Sequence, residues 1–400
     1  MILKMAFRNI FRHKIRTILT LVTMSVAIFL AILGEGLNVG MKRQMVDLSI
    51  KTDVSKNKIY QEGFYEELEG NEVEPLDYEI ENIEQVENIL NDEIYTKRIL
   101  FDGEITNGKD DLKVTFLGVN PESENRVFER ANDIVAGEFL KENSKNEIVV
   151  SSELANLMNL KIGEIITIMA RTKEGTLNAD DIKLSGIIRT GNPLLDNKLV
   201  FVQMNFAKEF LGIKKANDIA ILSDLTKNQK SNLKKLKVEI INWETELKDI
   251  LIMTRIRGKA FNIISFTILI MAGVGITNTM LMIMLERKKE IGIMLANGMS
   301  RSSLLKLFLL EGITVGIIGS GLGWTLGSLV VSYYQKVGIA LPKMTEFGMN
   351  FPFTEKLYTF LDLRKTIIFF MSGVLIAILS TFYPAYKASK LNPVDIIRGN

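Results

Sequence analysis

Apolar and polar positions are spread unevenly along this chain. Four runs stay apolar for about twenty residues: Thr17 to Leu37, Ala260 to Leu285, Gly312 to Gln335 and Thr366 to Tyr386. Only the first holds a charge, Glu35, near its end. A hydrocarbon core about 30 Å thick is crossed by about 20 such residues in helical form. Four membrane spans are therefore predicted. The first run is too long for a signal-peptide core, and no small-residue cleavage site follows it, so it reads as a retained span.

Between residues 40 and 258 the pattern changes. "KVTFLGV", "NEIVVS", "IITIMA", "DIKLSGI", "KLVFVQM" and "NDIAILS" are short, β-branched and apolar, and read as strands. "SSELANLMNL" and "MNFAKEFLGI" read as helices, with Ser152 and Asn205 as expected N-caps. "TGNPLLDN" reads as a turn. The prediction is an α+β domain with its own core. "NWETELKDILIMTRIRGKAFNIISF" then reads either as one helix running into the second span or as an ordinary linker. A continuous helix would carry motion across the membrane.

Orientation comes from basic residues in short flanks. Lys4, Arg8, Arg12, Lys14 and Arg16 precede the first span. Arg287, Lys288, Lys289, Arg301 and Lys306 separate the second from the third, and Lys387, Lys390 and Arg398 follow the fourth. These segments, with both termini, are expected in the cytoplasm and the large domain outside. Lys336, Lys343, Lys356, Arg364 and Lys365 in the third-to-fourth loop run against this assignment. Ile2 to Arg16 places Lys4, Arg8, Arg12 and Arg16 four apart, as in an amphipathic helix on an anionic surface or as plain flanking charge.

The net charge of +2 points neither to nucleic acid nor to a strongly acidic partner. The chain has no cysteine, and its single histidine is His13. That removes thiolate metal sites, most histidine-based catalysis and any disulfide. Without G-x-S-x-G, histidine or cysteine in the outer domain, an ectoenzyme is disfavoured. Acidic pairs such as Glu66–Glu67 and Asp110–Asp111 read as solvated surface.

The loop between the second and third spans is unusual. In "ERKKEIGIMLANGM", Ile291, Met294, Leu295 and Met299 fall at near-helical spacing behind the charges Glu286 to Glu290. Asn297–Gly298 supplies a stop, since glycine takes the left-handed conformation cheaply. Ser300 can cap the next helix. A short helix with an apolar face, and no core of its own chain to bury it, is expected to seek a partner groove. In the third span Gly319, Gly323 and Gly327 recur every four residues beside Gly312, Gly316 and Ser320, which suggests close helix packing. Glu35 and Glu311 lie near span ends and read as structural.

"ERKKEIGIMLANGMSRSSLLKLFLLEG" resembles the signature of the FtsX-like permeases of ABC transporters. The opening "LKMAFRNIFRHKIRTILTLVTMSVAIFLAILGEGLNVGMKRQMV", the blocks "FLGVNPESE", "AGEFL", "EIVVSSELANLMNLKIGEIITI" and "SGIIRTGNPLLDNKLVFVQM", and the ending "YPAYKASKLNPVDIIRGN" are similar to the same family. The likeness covers nearly the whole chain in order, and its size and four spans are most similar to the lipoprotein-releasing, LolC/LolE-like branch. The resemblance implies an inner-membrane protein with a cytoplasmic elbow helix (1–16), a first span (17–39), a periplasmic MacB-like α+β domain (40–258) and an FtsX-like permease domain (259–400). The last would hold spans 260–285, 312–335 and 366–386 and a coupling helix, 286–299. That helix, with Glu286, Arg287, Lys288, Glu290, Ile291, Gly292, Met294, Leu295, Gly298, Met299 and Arg301, would dock on a separate ABC ATPase. No G-x-x-x-x-G-K-[ST] loop occurs, so ATP and Mg would be bound by that partner and this chain would carry no cofactor. Other implied partners are a second permease, a membrane lipoprotein and a periplasmic carrier. Peptide or drug export in the manner of MacB, and FtsX-like signalling to a cell-wall hydrolase, remain the alternatives.

Overall fold

The structure, a computed structural model, describes residues 14–65, 75–143, 146–340 and 356–391. The basic segment before residue 14, Glu66–Glu67, Lys343 and the ending from residue 392, Arg398 included, lie outside these. The described residues form two compact units, one of 14–43, 252–340 and 356–391, the other of 44–251.

The first unit is helical. α1 spans Lys14–Ser49 and is one of four helices among the described residues that are long and apolar enough to cross a membrane. In chain order the helices after α1 are α2 (Ile83–Ile89), α3 (Pro121–Phe128), α4 (Ser152–Leu157), α5 (Pro193–Asp196), α6 (Met204–Leu211), α7 (Lys227–Lys234), α8 (Trp243–Glu246), α9 (Lys248–Glu286), α10 (Lys288–Ala296), α11 (Arg301–Val337) and α12 (Leu363–Ser389). The spans α1, α9, α11 and α12 all extend beyond their apolar runs. α9 has 39 residues, about 58 Å of helix at 1.5 Å per residue. It starts at Lys248 rather than Asn242, because Asn242 caps the separate short α8. The chain passes between units at 43/44 and at 251/252, in both cases inside a helix.

Hydrophobic side chains cover the outside of these helices. Val22, Val26 and Leu30 of α1, Ile263, Ile270 and Val274 of α9, and Ile367, Met371 and Leu375 of α12 are exposed. A protein in water buries such rows, and in lipid they are the solvated surface. Inside, α11 packs closely against two neighbours. Cβ atoms built at Gly316 and Gly312 would stand 2.8 Å from Cβ of Ala377 and 2.6 Å from Cβ of Thr381, on α12. At Gly319, Gly323 and Gly327 they would stand 3.0, 2.9 and 3.1 Å from Cβ of Met24, Ile28 and Ile32, on α1. One helix thus carries two glycine faces for two neighbours. Glu35 pairs with Lys365, which ties α1 to the start of α12.

The second unit is the α+β domain. Its ten strands, among them β4 (Ile134–Gly137), β5 (Glu147–Ser151) and β7 (Leu177–Ile188), follow the order β10-β1-β9-β2-β3-β8-β5-β7-β4, and β6 pairs both β2 and β7. β6 therefore closes β2-β3-β8-β5-β7 into a six-stranded ring. Alternate residues point inward, as strand geometry requires: Ile99, Phe101 and Ile105 from β2 (Tyr95–Thr106), Val114 and Phe116 from β3 (Asp111–Val119), Ile166 and Ile168 from β6 (Ile165–Arg171), and Val200 and Val202 from β8 (Leu199–Gln203). Leu154 of α4 and Ala207 of α6 join this core. β1 (Asn57–Gln61), β9 (Asp218–Ile221) and β10 (Val238–Asn242) extend the sheet and pack Ile59, Ile219 and Val238 against α2 and α7.

Two caps differ from expectation by a residue or two. Ser151, not Ser152, caps α4 by accepting from the Leu154 amide. Gln203, not Asn205, caps α6, its side-chain oxygen accepting from the amides of Asn205 at 2.6 Å and Phe206 at 3.1 Å. Both expected caps lie inside their helices, because each strand runs directly into the following helix with no loop between. Residues 190–197 do turn, around a single helical turn held by Asp196, whose carboxylate accepts from the Thr190 amide and hydroxyl and the Gly191 amide.

Gly323→Leu should cost about 1–3 kcal/mol or more by overpacking, since Ser25 and Ile28 occupy the space a side chain needs. Gly275→Ala, where nothing lies within 4 Å, should be neutral or stabilising. Thermal unfolding of the two variants in detergent checks the contrast.

Candidate functional site

The segment from Glu286 to Ser300 folds as a helix break, a short helix and a stop. α9 ends at Glu286, and Arg287 departs from helical geometry at φ −91°, ψ 10°. α10 follows. At its end Gly298 has φ +90°, its amide donates to the Leu295 carbonyl (3.1 Å), and the Met299 amide donates to the Met294 carbonyl (3.1 Å). Those paired bonds form a Schellman motif, which satisfies carbonyls the helix leaves open and explains why glycine stands at 298. Ser300 caps α11, its hydroxyl accepting from the Ser303 amide at 3.2 Å.

The inner face of α10 is not left open. Ile291 is completely buried, among Met284 of α9, Leu304, Leu307 and Phe308 of α11, and Ala385 and Ala388 of α12. Gly292 is buried too, and Met294, Leu295 and Met299 pack against the same cluster. This corrects the expectation of an apolar face without a core in its own chain. The cover comes from the start of α11 and the end of α12, which follow α10 in the sequence but fold back onto it.

Arg287 belongs to this interior as well. Its side chain is 6% exposed, and Glu311 on α11 is 4% exposed. The guanidinium donates from Nη1 to Glu311 at 3.3 Å and from Nε to Glu290 at 3.2 Å, and lies 5.9 Å from the Phe308 ring centre. A planar cation with several donors suits a position that must bind two carboxylates at once. One residue earlier, Glu286 pairs with Arg16 of α1. The end of α9 is therefore held to α1 on one side and to α11 on the other.

Of the residues expected to contact a partner, Arg287, Ile291 and Gly292 thus face inward. Lys288, Glu290, Met294, Leu295 and Met299 are half-buried, while Glu286, Gly298 and Arg301 are exposed. The outer face also holds Lys289, Ile293, Ala296 and Asn297. Ile293 is 55% exposed and was missed by the sequence reading. Its signal was available: it stands four residues from Lys289 and Asn297, on the helical face opposite Ile291.

Removing one partner of a buried ion pair leaves the other uncompensated and costs about 3–5 kcal/mol. Arg287→Ala and Glu311→Ala should each lose that much in thermal or denaturant unfolding. The double change Arg287→Met/Glu311→Leu should recover most of it, and Lys289→Ala should have no effect.

The segment bearing these features is recognised by the family model for the FtsX-like permease C-terminal domain, over residues 262–393. The lipoprotein-releasing system transmembrane protein LolC of Buchnera aphidicola is 24% identical over 68% of this chain and 74% of its own length. The ABC transporter permease YtrF of Bacillus subtilis is 23% identical over 98% of this chain and 97% of its own. The macrolide export ATP-binding/permease protein MacB of Shewanella is 24% identical over 99% of this chain, which spans 60% of that longer protein. Residues 262–393 are thus an FtsX-like permease domain, and a chain with four apolar helices and a β-rich unit between the first and second is similar along its length to ABC transporter permeases of the FtsX/MacB/LolC type.

Proposed function

We propose that this chain is a non-catalytic permease subunit through which a separate ABC ATPase moves the β-rich domain on the far side of the membrane. The observation that carries this reading is α10 itself. It is braced on its inner face by Ile291 and, just before it, by Arg287, and is bare on its outer face at Lys289 and Ile293, with Arg301 exposed at the start of α11. A braced helix can pass on a push, and a single apolar residue among polar ones suits a groove with a polar rim. α9 supports the same reading, because one unbroken helix holds residues of both units. With α10 in the cytoplasm, the termini lie there too, and the β-rich unit is periplasmic or extracellular.

The preferred cargo is a membrane lipoprotein. A lipid anchor is held by about 0.8 kcal/mol per CH₂, so three chains with about 45 such groups approach 36 kcal/mol as an upper figure. Passage through water is closed to such a molecule, and an extractor must offer an apolar slot and close it by force. The LolC relative supports this reading, a second permease would complete the slot, and a soluble carrier would take up the lipid. Export of peptides or drugs from the outer compartment is the second reading. It is favoured by the relative MacB, whose similarity runs over nearly all of this chain rather than two thirds of it.

Co-expression with the ABC ATPase from the same genome tests the docking. Ile293→Asp should lower ATPase binding and permease-stimulated ATP turnover at least about tenfold, a loss of about 1.4 kcal/mol, with unfolding temperature unchanged. Lys289→Glu and Arg301→Glu should weaken both in a salt-dependent way. Unaltered binding and turnover in all three would place the ATPase elsewhere. ATP-dependent release of an acylated lipoprotein from proteoliposomes then separates extraction from export.

A further inference from the structure

A cluster of ionisable side chains is buried in the β-rich unit, where α1 ends in a π-helical turn, Ile50–Val54. Arg98 of β2 binds Glu124 of α3 through two bonds, from Nη2 at 2.7 Å and Nε at 3.0 Å. Its Nη1 donates to the Asp53 carbonyl at 3.1 Å and to the Asp53 carboxylate at 3.3 Å. Arg130 donates to Glu124 at 3.2 Å and to the Thr52 carbonyl at 2.6 Å. Lys58 of β1 lies 3.1 Å from Glu246 of α8 and 3.7 Å from Asp53. The Asn192 side chain donates to the Thr52 hydroxyl at 3.1 Å. Two guanidinium groups thus hold the last carbonyls of a helix, where the helix dipole favours cations.

Asp218 of β9 is the ill-served member. It is buried, its Oδ1 has no hydrogen-bond partner, and its Oδ2 comes only within 3.8 Å of Arg98. The groups facing it are Lys58 and Tyr60 of β1, Arg98 of β2, Asp53 of the turn and Glu246 of α8, with Glu124 and Arg130 beyond. Three cations, Lys58, Arg98 and Arg130, meet four carboxylates, Asp53, Glu124, Asp218 and Glu246, so one negative charge is in excess. Burial raises the Asp218 carboxyl to about 6, against the pull of Lys58 and Arg98 and with the help of Asp53 and Glu246. Burial also acts on Glu124, but Arg98 and Arg130 outweigh it and hold that carboxyl below its usual range. The proton therefore belongs on Asp218.

We propose that Asp218 is a proton-operated latch: taking up a proton neutralises the buried cluster and tightens its hold on the Ile50–Val54 turn at the end of α1. The sign follows from linkage. A carboxyl that binds its proton more readily when packed adds stability below its ordinary range and loses it as pH rises through about 6. The joint is thus firmer in acid and looser at neutral pH, a control that acts on the β-rich unit whichever cargo it serves.

Hydrogen exchange of the full chain in nanodiscs reads the latch directly. Amides of residues 50–54, corrected for the pH dependence of intrinsic exchange, should be up to about tenfold better protected at pH 5.0 than at pH 7.5. Asp218→Asn should give the higher protection at both. Equal protection of the wild type at the two pH values, which needs no variant to measure, overturns the proposal. So does a pH response that survives in Asp218→Asn.

Discussion

A buried guanidinium at a helix break is the constraint on which the FtsX-like domain turns. Arg287 stands where α9 gives way to α10, in a setting otherwise built from Ile291, Phe308 and Ala385. A cation there is tolerable only with its carboxylates, so the positions of Glu290 and Glu311 are fixed together with it. Because Glu311 belongs to α11, the angle between α10 and the third span is fixed too. The Schellman turn at Gly298 and the cap at Ser300 close the other end of α10. Its outer face is then the free side of a small rigid bracket.

The bracket would be of little use on loose helices. α11 presents Gly312 and Gly316 to α12, and Gly319, Gly323 and Gly327 to α1. The step from 316 to 319 is three residues rather than four, which rotates the glycine stripe round the helix toward a second neighbour. Both contacts are too close for a side chain, so the three helices meet through their backbones, the form of packing lipid favours. α1 and α9 continue past the apolar runs, and the chain changes unit within each of them. At the end of α1, Arg98 and Arg130 take hold of the final carbonyls. Charged groups buried with their partners thus mark the end of α1 and the break between α9 and α10.

Much of this was legible in the chain. Apolar runs of span length, the Asn297–Gly298 stop, the Ser300 cap and six β-rich segments each carry a local signal, and each forms as expected. What escaped depends on partners distant in sequence. Ile291 was recognised as part of an apolar face, but periodicity shows that a face needs cover, not that α11 and α12 supply it. β2 was missed because Lys97, Arg98, Asp102 and Glu104 make it look like surface, whereas Arg98 is buried by Glu124 and Asp53. The caps moved from Ser152 and Asn205 to Ser151 and Gln203 because strand and helix abut there. Ile293 was overlooked because a lone apolar residue on a polar face is ordinary until its surroundings are known.

The absence of cysteine from the native chain makes one measurement decisive. Single cysteines placed in turn at positions 287 to 301 can be probed with a membrane-impermeant maleimide in inside-out vesicles. The account predicts labelling with helical period, strong at 289, 293, 296 and 297 and weak at 287, 291 and 292. Uniform labelling along the segment would mean that α10 is not seated on α11 and α12. Labelling confined to vesicles of the opposite orientation would put α10 on the wrong side of the membrane. Either result contradicts the account.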